Sequence, residues 1–231
     1  MKRQLHSLIE DLAEEPARPG VFNPWRDTDP DHDLGPEAPR IRKKQLLAYL
    51  SRRIGHSRLI LLAEALGYQG GHFSGIAMTS ERILLGHKES EGIPARAVLG
   101  REKPRRTSRP EVRPRGFSEP TGTIVWKTLL AAGAVPESFV LWNAFPWHPY
   151  LSRRGLLSNR RPNREELRTG NRYLFRFLDL FPQARVVAVG RVSEALLEEA
   201  GVEAFPVRHP ANGGAGSFRR QMNSLLTQSS T

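Results

Sequence analysis

The sequence predicts an α/β protein in three layers, with a central four-stranded, mainly parallel sheet covered by helices on both faces. Two observations carry that expectation. Residues 58–63, 140–142, 186–189 and 203–207 form short apolar runs, the appearance of strands buried on both faces. Between them lie longer segments whose apolar residues recur at helical spacing, and strands separated by helices cross over and run parallel. A length of 231 residues suits one domain spanning 1–231.

The elements follow in chain order. Leu5, Leu8, Ile9 and Leu12 mark a helix over 5–14, which Pro16, Pro19 and Pro24 stop. Residues 15–38 lack any sustained period and read as an irregular arm, so 1–38 is an N-terminal helix plus arm. Leu46, Leu47 and Leu50 place a helix over 41–53, ahead of the first strand and its glycine-rich turn. Further helices are expected over 79–85, 121–132, 164–180, 193–200 and 217–226. The 96–116 segment reads as a basic loop insertion, extended and mobile, because eight Lys and Arg stand against two acids and three prolines interrupt it. Seven arginines crowd 153–172. No internal repeat is evident.

Charge narrows the partner. There are 35 Lys and Arg against 24 Asp and Glu, a formal net charge of +11, which points to a polyanion and first of all to nucleic acid. Two arginine-rich loops fit phosphate contacts, where the guanidinium fork matches the oxygens. The absence of cysteine excludes a disulfide scaffold, a thiolate zinc site, a cysteine nucleophile and a cysteine-held iron–sulfur cluster. No metal or other cofactor is expected. With no apolar run near the roughly 20 residues a span needs, and no secretory leader pattern, a soluble, cytoplasmic, nucleoid-associated monomer is expected.

Chemistry in a parallel sheet collects beyond the carboxyl ends of its strands. There the chain reads Ala63-Glu-Ala-Leu-Gly67, then His72-Phe-Ser-Gly75; Asn143, and later Asn159-Arg-Arg161; and finally His209-Pro-Ala-Asn212. This ordered set, spanning roughly residues 57–226, resembles the uracil-DNA glycosylase superfamily, nearest to the branch with a Gly-Glu-Ala-Pro-Gly motif. That branch usually carries four cluster cysteines, which this chain lacks.

The resemblance implies a four-stranded, mainly parallel sheet and an enzyme that flips a nucleotide out of DNA and hydrolyses its N-glycosidic bond. His209 then donates a hydrogen bond to a uracil carbonyl as charge develops on the leaving base. Asn143 presents an acceptor and a donor that fit the N3–H and O4 edge of uracil and mismatch cytosine. Glu64 stands where the family glutamate orients or activates water, and Phe73 offers either a stacking face or a core ring. Ala65 replaces the general-base aspartate of the most familiar branch, and Gly67 its methyl-excluding tyrosine, so that Tyr68 substitutes or the pocket is permissive. Thr79, Ser80, Thr123, Arg160 and Arg161 are expected to contact DNA, the first three alternatively as helix caps. Asn212 fills the gap left by the flipped base, or the substrate is single-stranded. The turns bearing Glu64, Asn143 and His209 are expected to converge on one cavity.

No lysine lies within these motifs, so lyase chemistry through a Schiff base is not expected. The first function is therefore a monofunctional uracil-DNA glycosylase acting on uracil or another deaminated base such as hypoxanthine or xanthine. The alternative is a DNA-binding module that kept the fold and lost catalysis.

Overall fold

The computed structural model describes residues 1–227. Helix α1 (Lys2–Glu14) leads through an arm containing β1 (Val21–Phe22) to α2 (Ala38–Ser51) and β2 (Leu59–Ala65). Three one-turn helices follow, α3 (Gly71–Ser74), α4 (Glu81–Leu84) and α5 (Arg96–Leu99), then α6 (Pro120–Ala131), β3 (Phe139–Phe145) and β4 (His148–Pro149). The chain closes with α7 (Arg164–Leu178), β5 (Arg185–Val189), α8 (Arg191–Glu199), β6 (Ala204–Val207) and α9 (Ala215–Thr227).

The main sheet has the order β3-β2-β5-β6 and every neighbouring pair is parallel, as the apolar runs required. Central β2 is buried from Leu59 to Ala63, and edge strand β3 is buried throughout, from Phe139 to Phe145. On one face α7 and α8 pack, with Trp142 stacked on Phe177 at 4.3 Å. On the other face lies α6, whose Trp126 meets Phe139 edge-on at 5.1 Å. No helix among the described residues is long and apolar enough to cross a membrane.

The strands outrun their expected ends. β2 continues through Glu64 and Ala65, and β3 through Phe145, so Asn143 lies inside a strand rather than after it. The reason is the parallel ladder, which pairs Ala63 with Asn143 and Ala65 with Phe145 whatever the polarity of the side chains.

The 15–38 arm is irregular, as expected, but it is tied in. Asn23 Nδ2 donates to the Leu12 carbonyl at 2.7 Å, and Trp25 Nε1 to that of Gly75 at 3.1 Å. Below it runs a buried polar chain: Asp29 meets His72 Nε2 at 3.1 Å, the two Nδ1 atoms of His72 and His148 lie 2.9 Å apart, and His148 Nε2 reaches the Ser158 carbonyl at 2.8 Å. Burial holds both imidazoles far below their usual range, His72 at about 3 and His148 at about 4. The His72 backbone N–H also donates to the Gly67 carbonyl at 3.3 Å, which ties this chain to the Gly67–Gly71 turn.

The 96–116 segment, expected as an extended and mobile basic loop insertion, is tied into the fold at several points. It begins with α5 and is then anchored by the fully buried Glu81, which accepts the backbone N–H groups of Thr107 and Ser108 at 2.6 and 2.9 Å and the Ser108 hydroxyl. Arg109 adds bonds to the carbonyls of Asp33 and Pro30, both at 2.9 Å.

Candidate active site

Beyond the carboxyl ends of β2, β5 and β6 lies a cleft of about 830 Å³, bordered by Glu64, Arg161, Gly190, Arg191, His209 and Asn212. His209 follows β6 and packs so closely on the turn after β5 that a Cβ at Gly190 would stand 3.0 Å from its own Cβ. Its Nδ1 accepts the Ala211 backbone N–H at 3.1 Å. A neutral imidazole held this way carries its proton on Nε2. Burial, helped by the Arg208 charge, lowers the His209 pKa and so favours that neutral form.

Glu64 is half-buried in the same cleft. Burial raises its pKa, and Arg161, 4.0 Å away, partly offsets this. Asn212 is exposed with φ +52, at the tip of the loop after His209.

Asn143 does not border this cleft. Paired residues of a parallel ladder share a face and neighbours along a strand alternate, so Asn143 lies with Ala63 and Ala65 on the α6 side, whereas Glu64 points to the α7 and α8 side. The expected convergence therefore holds for Glu64 and His209, and Asn143 stands behind them across the end of the sheet. It is 2% exposed, and its Oδ1 has no partner among the described residues.

The neighbours of Asn143 on that side are partly those expected. Ala65 closes β2 half-buried, and the Tyr68 N–H donates to Asn159 Oδ1 at 3.0 Å. A Cβ at Gly67 would lie 3.6 Å from the Asn159 amide and 3.9 Å from Glu119 Oε1, so these two side chains occupy the surroundings of the missing one. Phe73 is wholly buried and stacks on Phe117 at 4.0 Å, which makes it a core ring rather than an open platform.

Four expected DNA contacts are spent inside the protein. Thr79 Oγ1 donates to the Ala77 carbonyl and accepts Trp126 Nε1, both at 3.0 Å. Ser80 caps α4 by accepting the Ile83 N–H, and Thr123 Oγ1 bonds back to the Glu119 carbonyl at 2.9 Å. Arg160 grips Glu166 with two nitrogens, at 2.7 and 2.6 Å, and also reaches the carbonyls of Gly20 and Tyr150. Capping and packing thus account for these residues, while Arg161 remains 82% exposed at the cleft.

Sequence reasoning missed Glu119 and Asn159. The available signal for Glu119 was its isolation as the single acid between Glu111 and Glu137, standing immediately before the helix-starting Pro120. Basic charge is also divided: Arg96 and Arg101 border a separate cavity of about 920 Å³ with Arg52 and Glu137, at the amino end of β3.

A family model described as the uracil DNA glycosylase superfamily matches residues 94–225. Among solved structures, wild-type SMUG2 of Pedobacter heparinus is similar in fold, with a TM-score of 0.62 and 12% identity over 98% of each chain. A search of curated proteins found no match. Since the family model covers more than half of the chain, including β3, β5, β6 and the His209 loop, the protein belongs to the uracil DNA glycosylase superfamily.

Proposed function

We propose that the protein is a monofunctional DNA glycosylase that extrudes uracil, or another deaminated base, and hydrolyses its N-glycosidic bond to leave an abasic site. The observation that carries this reading is the locked tautomer of His209: with Nδ1 engaged by Ala211, the Nε2–H is left as a fixed donor in the cleft. In the reaction the C1′–N bond breaks and its electron pair leaves with the base. Negative charge gathers on a base carbonyl oxygen, where the Nε2–H of His209 strengthens its hydrogen bond. Water bonds to C1′, and its proton passes to the Glu64 carboxylate or to the departing base. The neutral imidazole suits this role because it donates without first having to be charged.

Arg161 and Arg191 supply phosphate contacts beside the cleft, and Asn212 stands on the loop that enters the gap. Asn143 reads the base edge from β3. DNA is accordingly the partner, and cytoplasmic action as a monomer remains part of the reading.

An oligonucleotide with one central uracil tests it. The wild-type protein is expected to produce alkali-labile abasic sites, His209→Ala to lower the rate about 10²–10³-fold, and Asn143→Asp to lower it about tenfold. Salt-sensitive binding without abasic product would instead establish a binding module.

A further inference from the structure

Two buried oxygens at the carboxyl end of the sheet lack a hydrogen-bond partner among the described residues: Asn143 Oδ1 and Glu119 Oε2. Native proteins keep few such atoms, and an unpaired one calls for a partner not yet present. Both lie on the same side of the sheet. Asn143 faces the α6 layer, by the register that pairs it with Ala63. Helix α6 ends just before β3 begins, so its twelve residues, about 18 Å of helix, return its first turn to the carboxyl end of the strands.

Glu119 is the N-cap residue of α6, yet its side chain makes no cap bond. The carboxyl lies instead close against glycine backbone. A side chain at Gly70 would overlap it, one at Gly122 would stand 3.0 Å from Oε2, and one at Gly67 would stand 3.9 Å from Oε1. Burial alone pushes the carboxyl up to about 7. The charged and titratable groups on the elements around it are turned elsewhere: His72 to Asp29 and His148, Arg160 to Glu166, Arg161 to Glu64. Tyr68 follows Gly67, and its backbone N–H is held by Asn159; Arg113 lies over the Phe117 ring.

A neutral carboxyl has an O–H donor and a carbonyl acceptor. Asn143 can satisfy one lone pair of an exocyclic keto oxygen and accept the adjacent ring N–H. A donor from the Gly67 side would then complete the second lone pair of the same oxygen. We propose that Glu119 is a specificity-determining residue that reads the extruded base from the Gly67 side, opposite Asn143, and that the bases it selects carry a keto oxygen beside a ring N–H, as uracil, hypoxanthine and xanthine do. This rests on the glycosylase reading and adds to it a second group that touches the base.

The test uses the full chain on oligonucleotides carrying one uracil, hypoxanthine or xanthine. Glu119→Leu is expected to lower kcat/KM at least tenfold on the preferred base. Glu119→Gln, which keeps a donor and an acceptor, is expected to stay within threefold, and affinity for undamaged DNA should be unchanged in both. Glu119→Leu within twofold of wild type on every base would overturn the proposal. So would equal impairment of both variants in parallel with a lowered melting temperature, which is the mark of a structural role. Should Glu119→Leu not fold, Glu119→Ala, which also removes the donor, decides: a loss of at least tenfold in kcat/KM on the preferred base supports the assignment, and a value within twofold of wild type on every base overturns it. A wild-type protein inactive on all three bases would sink the glycosylase reading itself, and this assignment with it.

Discussion

At the scale of single residues, the site is built from side chains whose environments fix their protonation. Burial and the nearby Arg208 charge lower the pKa of His209 and favour its neutral form, whose proton sits on Nε2 because Ala211 occupies Nδ1. Glu119 is the opposite case, a carboxyl whose buried Oε2 has no hydrogen-bond partner among the described residues. Its native pKa, raised from 4.5 to about 7, means that the folded protein holds this proton while the unfolded chain has already released it. Stability therefore declines as pH rises from 4.5 through 7. Glu119→Gln removes this penalty, and urea unfolding should show the variant gaining about 1–3 kcal/mol over wild type at pH 8 and much less at pH 5. An equal difference at both pH values would show that the carboxyl is solvated. The Glu119 environment was invisible in the sequence because Gly67, Gly70 and Gly122 come from two distant segments that only the fold brings together.

At the scale of elements, what was legible followed from local pattern. The strands and the long helices announced themselves by apolar spacing, and α7 carries its own start signal, since Asn163 and Glu166 form a reciprocal capping box. What was not legible depended on partners far along the chain. The 96–116 segment looks mobile when its charges and prolines are counted, yet Thr107 and Ser108 are fully buried because Glu81 meets their backbone. Likewise Thr79, Ser80, Thr123 and Arg160 have the residue types of phosphate ligands, and each is used within the fold. The anchor can be tested directly. Glu81→Ala leaves two backbone donors unpaired and should cost about 2–4 kcal/mol, with trypsin then cutting rapidly between Arg105 and Arg115. Undiminished protection of that segment would mean that Arg109 and the arm hold it without Glu81.

At the scale of the whole molecule, the +11 charge includes arginines bordering clefts at both ends of the sheet. Arg161 and Arg191 stand at the carboxyl ends of the strands beside His209, while Arg96 and Arg101 stand at the amino end of β3 with Arg52 and Glu137. If DNA lies across the cleft, Arg161→Ala and Arg191→Ala should each weaken binding and reduce the slope of log affinity against log salt by about 1, whereas Arg96→Ala should leave the slope unchanged. Equal effects at both ends would imply a path for DNA around the protein rather than over the strand ends. The most direct measurement is a crystal structure with duplex DNA carrying a non-hydrolysable 2′-fluorinated deoxyuridine. The account requires the uracil to be out of the helix, its N3–H and O4 edge on Asn143, a carbonyl oxygen within hydrogen-bond distance of His209 Nε2, and the sugar facing the Glu64 cleft. A uracil still stacked in the duplex, or DNA seated away from His209, would contradict it.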